Sequence, residues 1–306
     1  ASRSEPMTVF MGAFALSAPG SEPADAILFG APHGTPYPGI DNRAYEDAPT
    51  AIRLASAKDG DWTAHWNYDV GGPLYGHRGY RVGDLGDLPT RSADGDGNRR
   101  LIEDATRAVV AAGAVPVMLG GDDSAPIPFL AGLAALGPLT VLQVDAHIDW
   151  RQERRGESLG FSSTMRRASE LGHVERIVQV GMRNYGSARA EEIGIADAWG
   201  AEIVTARDVH HHGIEPVLER IPEGARVAIT IDVDALDASL MPAVMAPSPG
   251  GLDYTQVTDL ILGTTRRAEL VAFDLIEFVP TRDRDGTCAI TAASLVLCAI
   301  GALANR

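Results

Sequence analysis

Cysteine is nearly absent: Cys288 and Cys298, ten residues apart near the C-terminal end, are the only two in 306 residues. That pair offers no disulfide framework and no thiolate cage for a metal, and both read as small buried hydrophobes in a reduced, cytoplasmic protein. Positive charge is scarce as well, with 26 Lys and Arg against 41 Asp and Glu and a formal net charge of -15. So acidic a chain argues against nucleic acid or an anionic membrane as partner and mildly favours cationic small substrates. No uninterrupted apolar run reaches the roughly 18 to 20 residues of a spanning helix. No basic segment followed by an apolar one opens the chain as a leader would, and no repeat, linker or low-complexity tract divides it. What remains is an ordinary globular composition, 45% hydrophobic, long enough to bury one large α/β core.

Residues 1–24 mix Ser, Pro, Gly and Glu and read as an N-terminal arm ahead of the first strand, 26–30. A Pro- and Gly-rich loop follows over 31–42, then a helix over 50–57 that Pro49 suits as a first-turn residue. After a strand over 80–85 and a helix over 99–112, strands are expected at 115–119, 139–145, 175–181, 201–204, 226–233 and 269–275. Helices are expected near 126–136, 162–172, 187–199, 214–221, 254–265 and 289–303. Near-continuous apolar strands alternating with helices predict an α/β fold: a single three-layer αβα domain over 1–306, with a central, mostly parallel sheet.

Three of those strands end in acids. Leu142 to Trp150 reads Leu-Gln-Val-Asp-Ala-His-Ile-Asp-Trp, which sets Asp145, His147 and Asp149 at alternate positions. In extended backbone, alternate residues point the same way, and carboxylates aimed together off a buried strand call for a cation. Val227 to Asp237 repeats the pattern with Asp232, Asp234 and Asp237, and Val115 to Ser124 with Asp122 and Asp123. Ligand sites of open parallel sheets lie at the carboxyl ends of the strands, so one centre accounts for all three. Asp123, Asp145, Asp149, Asp232 and Asp234 with the His147 imidazole form an oxygen-rich set, better suited to manganese or magnesium than to zinc. Five acids are too many for one ion; two divalent ions about 3.5–4 Å apart fit the count and supply a nucleophilic hydroxide.

Gly120-Gly-Asp-Asp-Ser124, Asp145-Ala-His-Ile-Asp149 and Asp232-Val-Asp-Ala-Leu-Asp237 together resemble the ureohydrolase family of arginases and agmatinases. Ala48 to Arg53, Gly83 to Asp87, Gly181 to Arg183, Pro247 to Leu252 and Asp274 to Glu277 extend the resemblance over most of the chain. It implies an arginase-like fold and a two-manganese enzyme, with nickel the other candidate metal, that releases urea and an amine from a small guanidino substrate by a metal-bridging hydroxide. Asp123, Asp145, Asp149 and Asp232 would hold one ion, and Asp145, His147, Asp232 and Asp234 the other. Glu277 would receive the guanidinium, His147 and Glu277 being the catalytic pair. The resemblance further implies a homo-oligomer, trimeric or hexameric, or a heteromer with a related subunit.

Agmatine is the leading substrate type, with a guanidino acid, guanidine or biguanide as alternatives. The rival from another class is a weakly catalytic metal-binding subunit. Its support is two departures: the family carries histidine at the positions of Asp123 and Phe161. The first adds a negative charge to the ligand set; the second removes a proton donor for the leaving amine. Trp150 and Phe161 are expected to contact substrate, Trp150 by stacking on a guanidinium. Asp122 reads as a backbone-bonding neighbour, His210 to His212 as a solvated loop, and His33 as a surface residue.

Overall fold

A computed structural model describes residues 8–58, 62–77 and 79–306. Its strands are β1 (Phe14–Ala15), β2 (Ala26–Ala31), β3 (Trp66–Asn67), β4 (Gly72–Pro73), β5 (Val82–Asp87), β6 (Val115–Gly120), β7 (Leu139–Val144), β8 (Val174–Met182), β9 (Glu202–Thr205), β10 (Arg226–Asp232) and β11 (Glu269–Ile276). The helices are α1 (Ala48–Ser56), α2 (Gly95–Ala111), α3 (Pro126–Gly132), α4 (Thr164–Ala168), α5 (Ala190–Trp199), α6 (Ala206–His212), α7 (Glu215–Leu218), α8 (Tyr254–Arg267) and α9 (Thr287–Ala304). Nine strands form one parallel sheet in the order β1-β5-β2-β6-β11-β10-β7-β8-β9, and β3 and β4 make a separate antiparallel hairpin.

Side-chain alternation divides the core into two layers. Along β7, Leu142 and Val144 join the cluster under α1, α8 and α9, whereas Leu139 and Val141 join the one under α2, α3 and α4. Along β10, Val227, Ile229 and Ile231 face the first cluster and Ala228 the second. A strand buried on both faces has no polar side, hence the unbroken apolar runs. The result is the expected three-layer αβα architecture.

Three expectations change. The segment before residue 24 is no free arm: Phe14 and Ala15 pair in parallel with Gly83 and Asp84, and Phe10 is fully buried; residues 1–7 lie outside the described residues. The His210 to His212 run is the last turn of α6, started by a capping box in which Thr205 and Asp208 bond each other's backbone N–H. And α9 is an 18-residue uncharged helix, long and apolar enough to cross a membrane, although Thr, Ser and Gly break its apolar run. Two thirds of it is buried, against α1 and α8, which is the pattern of a core helix.

One charge pair is built into this core. Arg53 on α1 donates to both carboxylate oxygens of Asp84 at 2.8 and 3.0 Å and also pairs with Asp87. Asp84 accepts in addition from the backbone N–H of Phe10 and Gly86. Removing one partner from so buried a pair leaves the other charge unmatched, at a cost of about 3–5 kcal/mol.

Candidate metal centre

Topology gathers the acids. Strands β6, β11, β10 and β7 are consecutive neighbours in the sheet, although the chain visits them as β6, β7, β10 and β11. Their carboxyl ends deliver Asp123, Glu277, Asp232 with Asp234, and Asp145 with His147 and Asp149 to one place. Two ligand groups result, each with donor atoms within 4.8 Å of one another: Asp145, His147, Asp232 and Asp234, and Asp123, Asp145 and Asp149. Asp145 belongs to both groups. Asp232, which the resemblance also makes a bridge, groups only with Asp145, His147 and Asp234.

Backbone conformation aims these side chains. Asp149 and Glu277, just past the ends of β7 and β11, take φ of 53° and 68°, a left-handed conformation that costs a non-glycine residue about 1–3 kcal/mol and clusters at functional sites. Gly121 is fixed by crowding: a Cβ there would sit 2.4 Å from the Pro32 carbonyl oxygen. That close approach lets the chain turn so that Asp123 faces β7 and β11.

A second set of residues holds the acids in place. Gln143 Nε2 donates to Asp145 at 2.7 Å and to Asp149 at 2.8 Å. Gln179 Nε2 donates to the Gln143 side-chain Oε1, and its own Oε1 accepts the Trp150 indole N–H at 2.7 Å. Arg183 donates to the carbonyls of Asp234 (2.6 Å) and Ser248 (2.8 Å), pinning the turn that carries Asp234. Glu277 accepts from Tyr45 O–H at 2.5 Å and from Asp123 N–H at 2.8 Å. Sequence reading passed over Gln143, Gln179, Tyr45 and the clamp by Arg183. The two glutamines did carry a signal, being polar residues inside apolar strands that had to find partners.

The electrostatics bear on what the site can hold. Burial, then the mutual repulsion of their neighbours, pushes Asp123, Asp145 and Asp232 well above the usual carboxylate range. Burial also raises Asp149, and it carries Glu277 to about 8 with the charge of Asp122 helping. Burial opposes a charge on His147, but the hydrogen bonds and charges of Asp145 and Asp234 outweigh it and raise His147 to about 12. Asp123 Oδ2 is buried with no hydrogen-bond partner among the described residues. A carboxylate oxygen left unmatched among other acids is suited to a cation, so the donor set fits a pair of divalent ions.

A stability prediction follows. Carboxyls whose folded pKa lies above the unfolded value of about 4 bind more protons when folded, so metal-free stability should fall as pH rises from there. His147 acts in the same sense: its contribution is full below 6.5 and is lost as pH rises toward about 12. Chelator-treated protein should melt higher at about pH 5.5 than at about pH 8, and manganese should remove most of that difference. A higher metal-free melting temperature at the upper pH would show that the acids do not repel one another.

The acids floor a cavity of about 230 Å³, whose lining also includes Tyr45, Trp150, Arg151, Arg154 and Phe161. Phe161 is half-buried on its wall, edge-on to Tyr37. Trp150, the expected stacking residue, lines the cavity but is only 1% exposed, its ring tilted against Trp199 with centroids 6.0 Å apart. Its indole N–H is tied to Gln179 at 2.7 Å. Asp122 bonds the backbone N–H of Ser124 at 2.9 Å, as expected of a neighbour to the ligands. His33 is buried, with Nδ1 on Thr90, and is not the surface residue expected.

A family model described as the arginase family matches residues 24–301. The N(1)-aminopropylagmatine ureohydrolase of Thermus thermophilus is 37% identical over 207 residues, 67% of this chain and 68% of that relative. The human guanidino acid hydrolase is 32% identical over 228 residues, 72% of this chain; the chain spans 64% of that relative's length. The crystal structure of agmatine ureohydrolase from Thermoplasma volcanium superposes with a TM-score of 0.76 at 28% identity, covering 94% of both chains.

Proposed function

The chain belongs to the arginase family, and we propose that it is a metal-dependent amidinohydrolase that converts a small guanidino compound and water into urea and an amine. The observation that carries this is the pair of acid clusters sharing Asp145, with Glu277 beside them in the same cavity. The relatives named above act on an agmatine derivative and on guanidino acids, so a guanidino group is the part their substrates have in common. Manganese is the proposed metal, because carboxylate oxygens outnumber nitrogen in the donor set.

Asp123, Asp145, Asp149, His147, Asp232 and Asp234 would hold the ions. Bound there, two divalent ions would neutralise the acids and supply an activated water as nucleophile. The chain's own part is to bind and orient. Glu277 presents a carboxylate to the planar N–H fork of a guanidinium, a pairing with two matched hydrogen bonds, and Tyr45 and the Asp123 N–H fix its orientation. His147 is held by Asp145 and Asp234. Phe161 has no proton to donate, so the leaving amine must be protonated from water or from another acid; general-acid help is worth about 10²–10⁴ in rate, and slow turnover is expected where no other acid stands in.

The test is urea release from a panel of guanidino compounds after reconstitution with manganese, with elemental analysis alongside. About two ions per chain and urea from at least one compound are expected. Two ions without urea from any compound would favour the metal-binding subunit instead. Asp123→His should shift metal preference toward nitrogen-favouring nickel or zinc at unchanged stoichiometry. An unchanged preference would remove Asp123 from the ligand set.

A further inference from the structure

The cavity that holds the acids also holds a cation that no carboxylate pairs with among the described residues. Arg154 lies on the loop between β7 and α4 and lines the same cavity as Glu277. Its guanidinium carbon sits 5.3 Å from the ring centroid of Tyr37 and 5.6 Å from that of Phe161. Among the described residues no carboxylate pairs with it, and no side-chain hydrogen bond engages it.

Everything beneath that guanidinium is fixed. Tyr37 and Phe161 meet edge-on with centroids 4.8 Å apart, and Tyr37 is buried, its hydroxyl accepting the Ser162 N–H at 3.1 Å. Gly160 permits this, because a Cβ there would lie 2.4 Å from the Tyr37 ring. Arg154 and Glu157 exchange both main-chain hydrogen bonds, at 2.9 and 3.1 Å, around Arg155 and Gly156. Those two residues have φ of 56° and 81°, the pattern of a type I′ turn. Arg155 then ties the turn to the Pro38 carbonyl at 2.9 Å.

The acids on the same cavity wall are already matched. Asp41 pairs with Arg43 at 2.6 Å, and Glu192 accepts from Arg151 at 3.3 Å and from the Arg189 N–H at 2.8 Å. The cavity is therefore acidic at its floor, and its one unmatched charge on the aromatic side is positive among the described residues.

We propose that Arg154 binds a carboxylate on the substrate, so that the preferred substrate class is an ω-guanidino carboxylate rather than a guanidino amine. This rests on the ureohydrolase reading of the same site. A guanidinium stacked by its face keeps its edge N–H groups free, and those form the fork that matches a carboxylate. An ammonium in the same place would meet a like charge. At about 230 Å³ the cavity is smaller than the roughly 300–1,000 Å³ of pockets for drug-sized ligands, which suits a short aliphatic chain between two charged ends.

The experiment compares urea release from 3-guanidinopropionate, 4-guanidinobutyrate and agmatine by the manganese-loaded full chain and its Arg154→Gln, Arg154→Lys and Arg154→Glu variants. Binding of 4-aminobutyrate, the matching product, is measured by calorimetry. The wild type should favour a guanidino acid over agmatine in kcat/KM. Arg154→Gln should lower the acid-to-agmatine ratio by about 10- to 100-fold, mainly through KM for the acid, the range of one charge-assisted hydrogen-bonded pair. Arg154→Lys should recover part of the ratio, Arg154→Glu should shift it further toward agmatine, and product binding should weaken in the same order. A ratio that does not move in Arg154→Gln, or acid and agmatine activities that fall in parallel, would overturn the proposal while leaving a ureohydrolase. Absence of urea from every guanidino compound with both ions bound would overturn the ureohydrolase reading itself.

Discussion

Glu277→Gln is expected to cut urea release by about 10²–10³-fold, the scale on which one preorganised electrostatic group acts, while both ions stay bound. The substitution is nearly isosteric, and the hydrogen bonds around it survive. The new amide oxygen can accept the Asp123 N–H, and the new NH₂ can donate to the Tyr45 hydroxyl in place of the bond Tyr45 now donates. What disappears is the negative charge that a guanidinium requires. Urea assays on metal-replete variant and wild type, with ion content measured on the same samples, make the comparison. Full activity in Glu277→Gln would mean that the guanidinium is received elsewhere, and the family likeness would then end at the metal ligands.

Asp145→Asn should have the larger structural effect, because its two consequences have opposite signs. Asp145 is shared by both ligand groups, so its loss should take ion content from about two to none under conditions that fill the wild type. The chain without metal should meanwhile gain stability, since one buried and mutually repelling carboxylate has been removed. Chelated Asp145→Asn is thus expected to melt above chelated wild type. It should not show the manganese-dependent rise, which would reach about 4 kcal/mol at a thousandfold excess of ion over Kd. Retention of both ions, or a chelated variant less stable than chelated wild type, would remove Asp145 from the shared position.

Legibility of the site followed from local pattern. Asp145, His147 and Asp149 stand at alternate positions after an apolar run, and Asp232 and Asp234 do the same, which made them legible; what converges them is the turns past the strand ends, since β7 stops at Val144, Asp149 is left-handed and Asp234 lies in a 3-10 turn. Residues whose roles depend on distant partners were not legible. Tyr45 meets Glu277 across 232 positions, and Gln179 meets Gln143 across 36. The sheet was legible in its central strands, where unbroken apolar runs mark burial on both faces, and at its β9 edge, but not at its β1 edge. Phe14–Ala15 is two residues long and partly exposed, too short for any periodicity to register. The α6 histidines failed for another reason: His210 to His212 read as a solvated loop, while the cap that makes them helical lies upstream at Thr205 and Asp208.

The order in which the chain fills its sheet bears on how the protein is made. β6 and β10 flank β11, so a nascent chain ending before residue 269 presents two half-sheets, each with a long apolar edge open to pairing with other chains. That intermediate also lacks Glu277, and its β6 acid cannot yet be aligned with those of β7 and β10. Insertion of the last strand between the two halves closes both edges and completes the ion-binding cluster together.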